Sequence, residues 1–487
     1  MSRLVVHVSR LVGSWLAVSF AFVFALAMAG CVDFTPPLVP PGRGGPPWTE
    51  LTSQHFILLT DLKGSEARRT LSEFETYYRV LVDHALTTDP FAGPRIQIVL
   101  LERAIDFRRF SGEGIQGFSL GKLPNDPEPV PTLALYGDFT ESTRTVFLHE
   151  LTHHVLQQNF RARPVWLDEG LALYYSTLVL DGDIVSVGLP VPTLPLYGML
   201  ARTEGARMGR RLVPVTVTGQ LRVRMPPASQ LIRMDREAFY DARTPSHHDR
   251  MRTETGNYAA AWALVHMLHH GPAPYRARYG AFLSGIRQGL SMPEAWARAF
   301  RDVPAAELDR ALLEYVSAPS APYEERIYRV LPPKGAVERQ RSMSNAEVLL
   351  LWARLRDWSA PLGSEDARKD IDAAVASDPR SPEPLFWRAL YRARASQFGS
   401  AERDFSAVLM REPNDPRYLL GYGLALDAEL EKLQKAAGAS QSPSEPRRAQ
   451  RARQLADVVE RLRQTATSRY QRDFVSAHEP KGQDLSF

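Results

Sequence analysis

The reading turns on residues 132–160, TLALYGDFTESTRTVFLHELTHHVLQQNF. Thr132 to Gly137 is a short apolar run that reads as a strand. Asp138, with Glu141 three positions on, has the spacing of a capping box and is expected to start a helix running to about Phe160. On that helix His149 and His153 stand at i and i+4. They share one face, so both imidazoles can reach a single ion, and Glu150 projects beside them. Zinc accepts two neutral imidazoles and a carboxylate, and keeps a fourth position for a water whose pKa falls towards neutrality. The five-residue pattern alone turns up by chance in about one chain in a hundred of this size, so its surroundings must carry the argument.

Those surroundings supply a third ligand. Beyond Pro164, residues 166–175 (WLDEGLALYY) open a second helix expected to end near Ser176. A carboxylate on such an adjacent antiparallel helix can complete the site. Glu169 is the candidate and Asp168 its competitor. Leu156 and Asn159 stand where the metzincin extension would place its glycine and third histidine, which excludes that pattern. Tyr258, in GNYAAAWALVH (256–266), is expected to open a later helix, where an aromatic packed on the core is one reading of it. His154 points about 100° away from His153 and reads as a surface or supporting residue. His266, His269 and His270 lie on an apolar helix and read as core or rim histidines.

These motifs resemble the gluzincin superfamily, and within it the bacterial secreted peptidase MA-like families, which pair HELTH with a later W-L-x-E-G-x-A-x-Y. The resemblance covers roughly residues 48–316. It implies a zincin-like α+β catalytic domain, a small sheet with an active-site helix and a helical second lobe. It also implies Zn2+ held by His149, His153 and Glu169, Glu150 as the general base, the strand Thr132–Gly137 as the binder of substrate backbone and, as the other reading of Tyr258, a phenol donor to the oxyanion. The 15 residues between His153 and Glu169 are fewer than in the aminopeptidase branch, so no substrate carries over from it.

Towards the N-terminus, strands are expected at His55–Thr60 and Arg95–Leu100, with an amphipathic helix, Glu66 to Leu86, between them, and a proline-rich acidic loop from Leu123 to Pro131. Residues 202–224 hold six arginines around an alternating run, Val215 to Val223, that is expected to form a hairpin in a solvated charged loop. The last third repeats at 34 residues: Ala367, Ile371, Ala374, Val375 and Pro379 recur as Ala401, Phe405, Val408, Leu409 and Pro413. Ala389, Phe398 and Gly423 fit the same frame. The period is similar to that of tetratricopeptide repeats, in which small residues let paired helices approach, so an all-α repeat domain is expected to follow the catalytic one.

The first residues carry Arg3 and Arg10 ahead of an apolar run, Leu11 to Ala29, and then Met28-Ala29-Gly30-Cys31. This resembles a bacterial lipoprotein signal, which implies cleavage before Cys31 and lipidation of its thiol. A plain secretory signal or an uncleaved anchor are the other readings. Cys31 is the chain's one cysteine, so no intrachain disulfide can form. The expected organisation is therefore a signal at 1–30, a proline and glycine tether at 31–47, the catalytic domain at 48–316, a linker at 317–345, repeats at 346–470 and a disordered tail at 471–487. With 487 residues, 44% apolar content and a formal charge of +4, to which the two arginines of the signal contribute, nothing points to nucleic acid. The expected function is a membrane-anchored, exported zinc metallopeptidase acting on a protein or peptide in the cell envelope. A scaffold or assembly factor that binds proteins through its repeats is the alternative, with a non-peptide hydrolase as a third.

Overall fold

A computed structural model describes residues 38–85, 95–111, 117–120, 130–137, 139–159, 163–189, 206–208, 211–213, 225–241, 247–317, 323–327, 337–359, 364–437 and 445–478. The signal run with Cys31, Asp138, most of the loop at 123–131, the run Val215–Val223 and the tail from 479 lie outside them. The described residues up to Gly45 and those from Pro46 onwards belong to separate units. In the first, Pro41–Arg43 make a single 3-10 turn closed by Gly44.

The second unit is mixed α and β. Its main sheet has six strands in the order β11-β1-β2-β3-β5-β4. β1 (Thr49–Thr52) and β2 (Phe56–Thr60) form an antiparallel hairpin, with Leu51 opposite Leu58. α1 (Gly64–Ala85) then carries the chain back so that β3 (Ile96–Leu101) pairs parallel to β2. The helix buries Ala67, Leu71, Phe74, Tyr78 and Leu81, spaced four, three, four and three apart, which is one face of a 3.6-residue helix. β3 is buried along both faces, as a central parallel strand should be. After α2 (Ala104–Ser111), β4 (Gly117–Leu120) and β5 (Thr132–Tyr136) complete the sheet. β5 runs parallel to β3 and antiparallel to β4.

α3 (Glu141–Asn159) follows β5 and lays Phe147 on Phe74 of α1, ring centroids 4.5 Å apart. α4 (Val165–Ser176) is buried at every residue. A small second sheet joins β6 (Val179–Asp181), β7 (Ile184–Val187) and β10 (Glu324–Ile327). The hairpin of the arginine-rich segment comprises β8 (Ala206–Met208) and β9 (Arg211–Val213), earlier than the run expected to form it. The helical lobe comprises α5 (Ala228–Leu231), α6 (Arg236–Phe239), α7 (His247–His270), α8 (Ala273–Arg287), α9 (Met292–Phe300) and α10 (Ala305–Val316). One hydrophobic core runs from Leu51 to Val316.

The span 317–345, expected as a linker, instead supplies two strands. β10 pairs with β7, and β11 (Arg339–Ser342) closes the outer edge of the main sheet by pairing with β1. The Arg341 guanidinium contacts Glu50 of β1 and Glu347 of the next helix. That helix, α11 (Asn345–Ser359), packs on α2, with Arg356 over Phe110 at 5.3 Å. The remaining helices pack in pairs: α11 with α12 (Glu365–Ser377), α13 (Pro382–Arg394) with α14 (Phe398–Arg411), and α15 (Pro416–Ala437) with α16 (Glu445–Thr465). Ala367, Ala389 and Ala401 are buried between helices, and a side chain at Gly421 would run into the Phe386 ring. The tail expected from residue 471 is ordered up to His478, because α17 (Arg469–Ala477) has a full capping box at Ser468 and buries Gln471 and Phe474.

Candidate metal centre

β5 delivers the chain to the site. Gly137 turns it in the left-handed region (φ +73°), and the Thr143 hydroxyl at the start of α3 donates to the Tyr136 carbonyl. α3 turns Leu148, Leu151 and Val155 into the core, which leaves His149, Glu150 and His153 on the partly open face. α4 packs on α3 and, on its other side, on α7. Gly170 permits the second contact: a Cβ there would lie 2.6 Å from the Ala261 carbonyl oxygen of α7. Ala261, whose side chain is small, and Val265 are the α7 residues that Gly170 meets. The neighbour of Gly170, Glu169, is thereby fixed against the two histidines.

His149 Nε2 and His153 Nε2 are 3.1 Å apart, and Glu169 Oε2 lies 3.6 Å from the first and 3.3 Å from the second. Tetrahedral coordination at about 2.0–2.1 Å would space three ligand atoms roughly 3.3–3.5 Å from one another. The three residues therefore fit a small tetrahedral ion, and they are the one cluster of this kind among the described residues. Glu169 Oε2 is buried and makes no conventional hydrogen bond, the state expected of an oxygen meant for a ligand.

Asp168 does not compete with Glu169 for that role. Its Oδ1 lies 3.4 Å from His153 Nδ1, on the far side of the ring, and accepts from Arg163 Nε at 3.0 Å. A carboxylate on the outer nitrogen fixes the tautomer and presents Nε2 inwards. The charges follow. Burial, helped by the His153 charge, pushes His149 down to about 4, so its imidazole is neutral. Burial opposes the charge on His153 too, but the Asp168 and Glu169 carboxylates, 3.4 and 3.3 Å from its ring nitrogens, outweigh it and lift the group to about 10, so an ion taken up at Nε2 would displace a proton there. Burial raises the Glu150 carboxyl above the usual range, which makes it a stronger base.

Tyr258 lies well inside α7 rather than at the start of a helix. Its ring meets Phe239 edge to face at 5.3 Å, and burial followed by the charge of Glu169 pushes its phenol up. His154 is outside the converging cluster and is held down to about 4 by burial. His266 is a core histidine, its ring nitrogens 2.7 Å from the Tyr315 hydroxyl and 2.9 Å from the Gly188 carbonyl oxygen. Two side chains join the site that the sequence had not singled out, Arg163 and Tyr240. The Tyr240 hydroxyl donates to Glu169 Oε1. No local pattern marks Tyr240, which lies 71 residues beyond Glu169 and is brought in by the lobe.

The strand expected to bind substrate backbone is placed differently. β5 is paired on both sides, by β3 and β4, and has no free edge. The sheet edge nearest α3 is β4, whose Gly117 packs so closely that a Cβ would meet Val146 of α3 at 2.7 Å. No protein-family model matches the chain, and a search of curated proteins finds no match.

Proposed function

We propose that the chain is a zinc-dependent hydrolase of the gluzincin kind, acting on peptide bonds, exported and tethered to a membrane through Cys31, with tetratricopeptide-type helical repeats behind the catalytic part. The observation that carries the reading is the convergence of His149, His153 and Glu169 Oε2 with a base, Glu150, on the same helix face. A purely structural site has no use for that base. Zinc held by the three residues would polarise the scissile carbonyl and lower the pKa of an attacking water.

Everything else falls to the chain's own groups. Glu150 takes the proton from the attacking water and hands it to the leaving amine. Asp168 and Arg163 hold His153 in its inward tautomer. Tyr258 is the donor assigned to the developing oxyanion. The backbone of an extended substrate is assigned to β4, since β5 offers no free edge.

The test is Glu150→Gln, which preserves shape and removes the base. It should keep zinc and folding while losing about 10²- to 10⁴-fold in hydrolysis of a peptide library. Full activity with zinc bound would refute the mechanism. A parent that binds zinc and cleaves nothing would shift the function to the repeats, as a protein-binding scaffold. The anchor is tested separately: globomycin should cause an uncleaved precursor to accumulate in the parent, whereas Cys31→Ala should stay uncleaved with or without the drug.

A further inference from the structure

The carboxylate of Glu169 has two oxygens in unlike surroundings. Oε2 faces the two histidines with no conventional hydrogen bond, whereas Oε1 is occupied by the Tyr240 phenol. We propose that Tyr240 is a positioning residue that holds Glu169 to one-oxygen ligation, by keeping Oε1 hydrogen-bonded and turned away from the metal position. The inference rests on the zinc reading above.

Tyr240 is itself firmly placed. It follows the one-turn helix α6, whose N-terminus is capped by Asp235 Oδ1 accepting from the Ala238 N–H at 2.8 Å. The buried Asn257 amide donates to the Phe239 carbonyl at 2.7 Å and ties that turn to α7. The ring sits between Phe239, Tyr258 and the Arg236 guanidinium, at 5.3, 6.3 and 5.7 Å. From that position the hydroxyl reaches Glu169 Oε1. A carboxylate without such a donor is free to rotate and offer both oxygens, which changes both the affinity and the geometry of the ion it binds.

The experiment measures metal binding rather than turnover. Zinc affinity is measured by competition with a chromogenic chelator for the parent, Tyr240→Phe and Tyr258→Phe, and cobalt is added to each as a spectroscopic probe. Tyr240→Phe should bind zinc about 10- to 100-fold more weakly and show an altered cobalt visible spectrum. Tyr258→Phe, which removes the neighbouring hydroxyl, should match the parent in both. Thermal melts separate this role from packing. Metal-free Tyr240→Phe should melt lower by about the worth of one buried hydrogen bond, and the zinc-dependent rise should shrink in addition. Parent-like affinity and spectrum, or an equal loss of stability with and without zinc, would overturn the proposal. A parent that binds neither metal would instead bring down the zinc reading, and this inference with it.

Discussion

Replacing Gly170 with alanine would place a methyl carbon 2.6 Å from both the Ala261 carbonyl oxygen and Val265 Cγ2, and 3.0 Å from the Ala261 carbonyl carbon. The valine methyl can give way by rotation. The carbonyl belongs to the backbone of α7, which is buried along this stretch, so α4 and α7 must separate by roughly 0.5–1 Å to restore ordinary contact. Alanine is the better helix former by about 1 kcal/mol, which works against the clash. Overpacking a close-packed interior costs about 1–3 kcal/mol, and backbone contacts lie at the upper end, so a net loss of about 1–2 kcal/mol is expected. The same displacement shifts Glu169 relative to His149 and His153 by about the 0.5 Å that a preorganised site tolerates, or more. Zinc affinity should therefore fall about tenfold or more, equivalent to about 1.4 kcal/mol. Urea denaturation of the metal-free protein and chelator competition of the loaded one read the two effects. A Gly170→Ala protein at least as stable as the parent, with unchanged zinc affinity, would refute the claim that close approach at Gly170 sets the position of Glu169.

Asp168→Asn should leave the chain folded and weaken zinc about 10- to 100-fold, read by the same competition, because His153 Nδ1 loses its charged partner. Burial raises Asp61 from the ordinary 3.8 to about 6, although the Glu102 N–H donates to it at 2.7 Å. The folded state thus holds this proton more tightly than the unfolded one. The stability that Asp61 contributes is full below about pH 4 and is lost as pH rises through about 6. Urea midpoints at pH 4.5 and 7 should show a smaller fall in Asp61→Asn than in the parent. A chain ending at residue 335 loses β11 and leaves β1 as a bare edge, so it should aggregate or melt earlier than the full chain by light scattering and calorimetry.

The HELTH helix was legible in the sequence because its logic is local: i and i+4 share a face whatever surrounds them. The approach of Glu169 to the two histidines was legible too, since WLDEG follows on the next helix. The 34-residue spacing of Ala367 and Ala401 marks positions that are buried between packed helices. What was not legible depends on contacts between distant segments. β11 reads Arg339-Gln-Arg341-Ser342, polar and mostly exposed, and is a strand because β1 offers an edge. Tyr240 carries no motif, and its role exists because the turn after α6 is tied to α7 by Asn257. Tyr258 was expected to open a helix, yet α7 begins at His247. Packing of α7 against α4 overrides the weak helix preference of Gly256. The order of β4 and β5 follows from strand pairing, which alternation in a single segment cannot reveal.

The most direct test of the central claim is the metal content of the purified chain from residue 48 onwards, by plasma mass spectrometry, beside His149→Ala and Glu169→Ala. About one zinc per chain is expected in the parent, with loss from both variants while their circular dichroism stays that of a folded protein. A parent that is folded, free of metal and unable to take up added zinc would contradict the account.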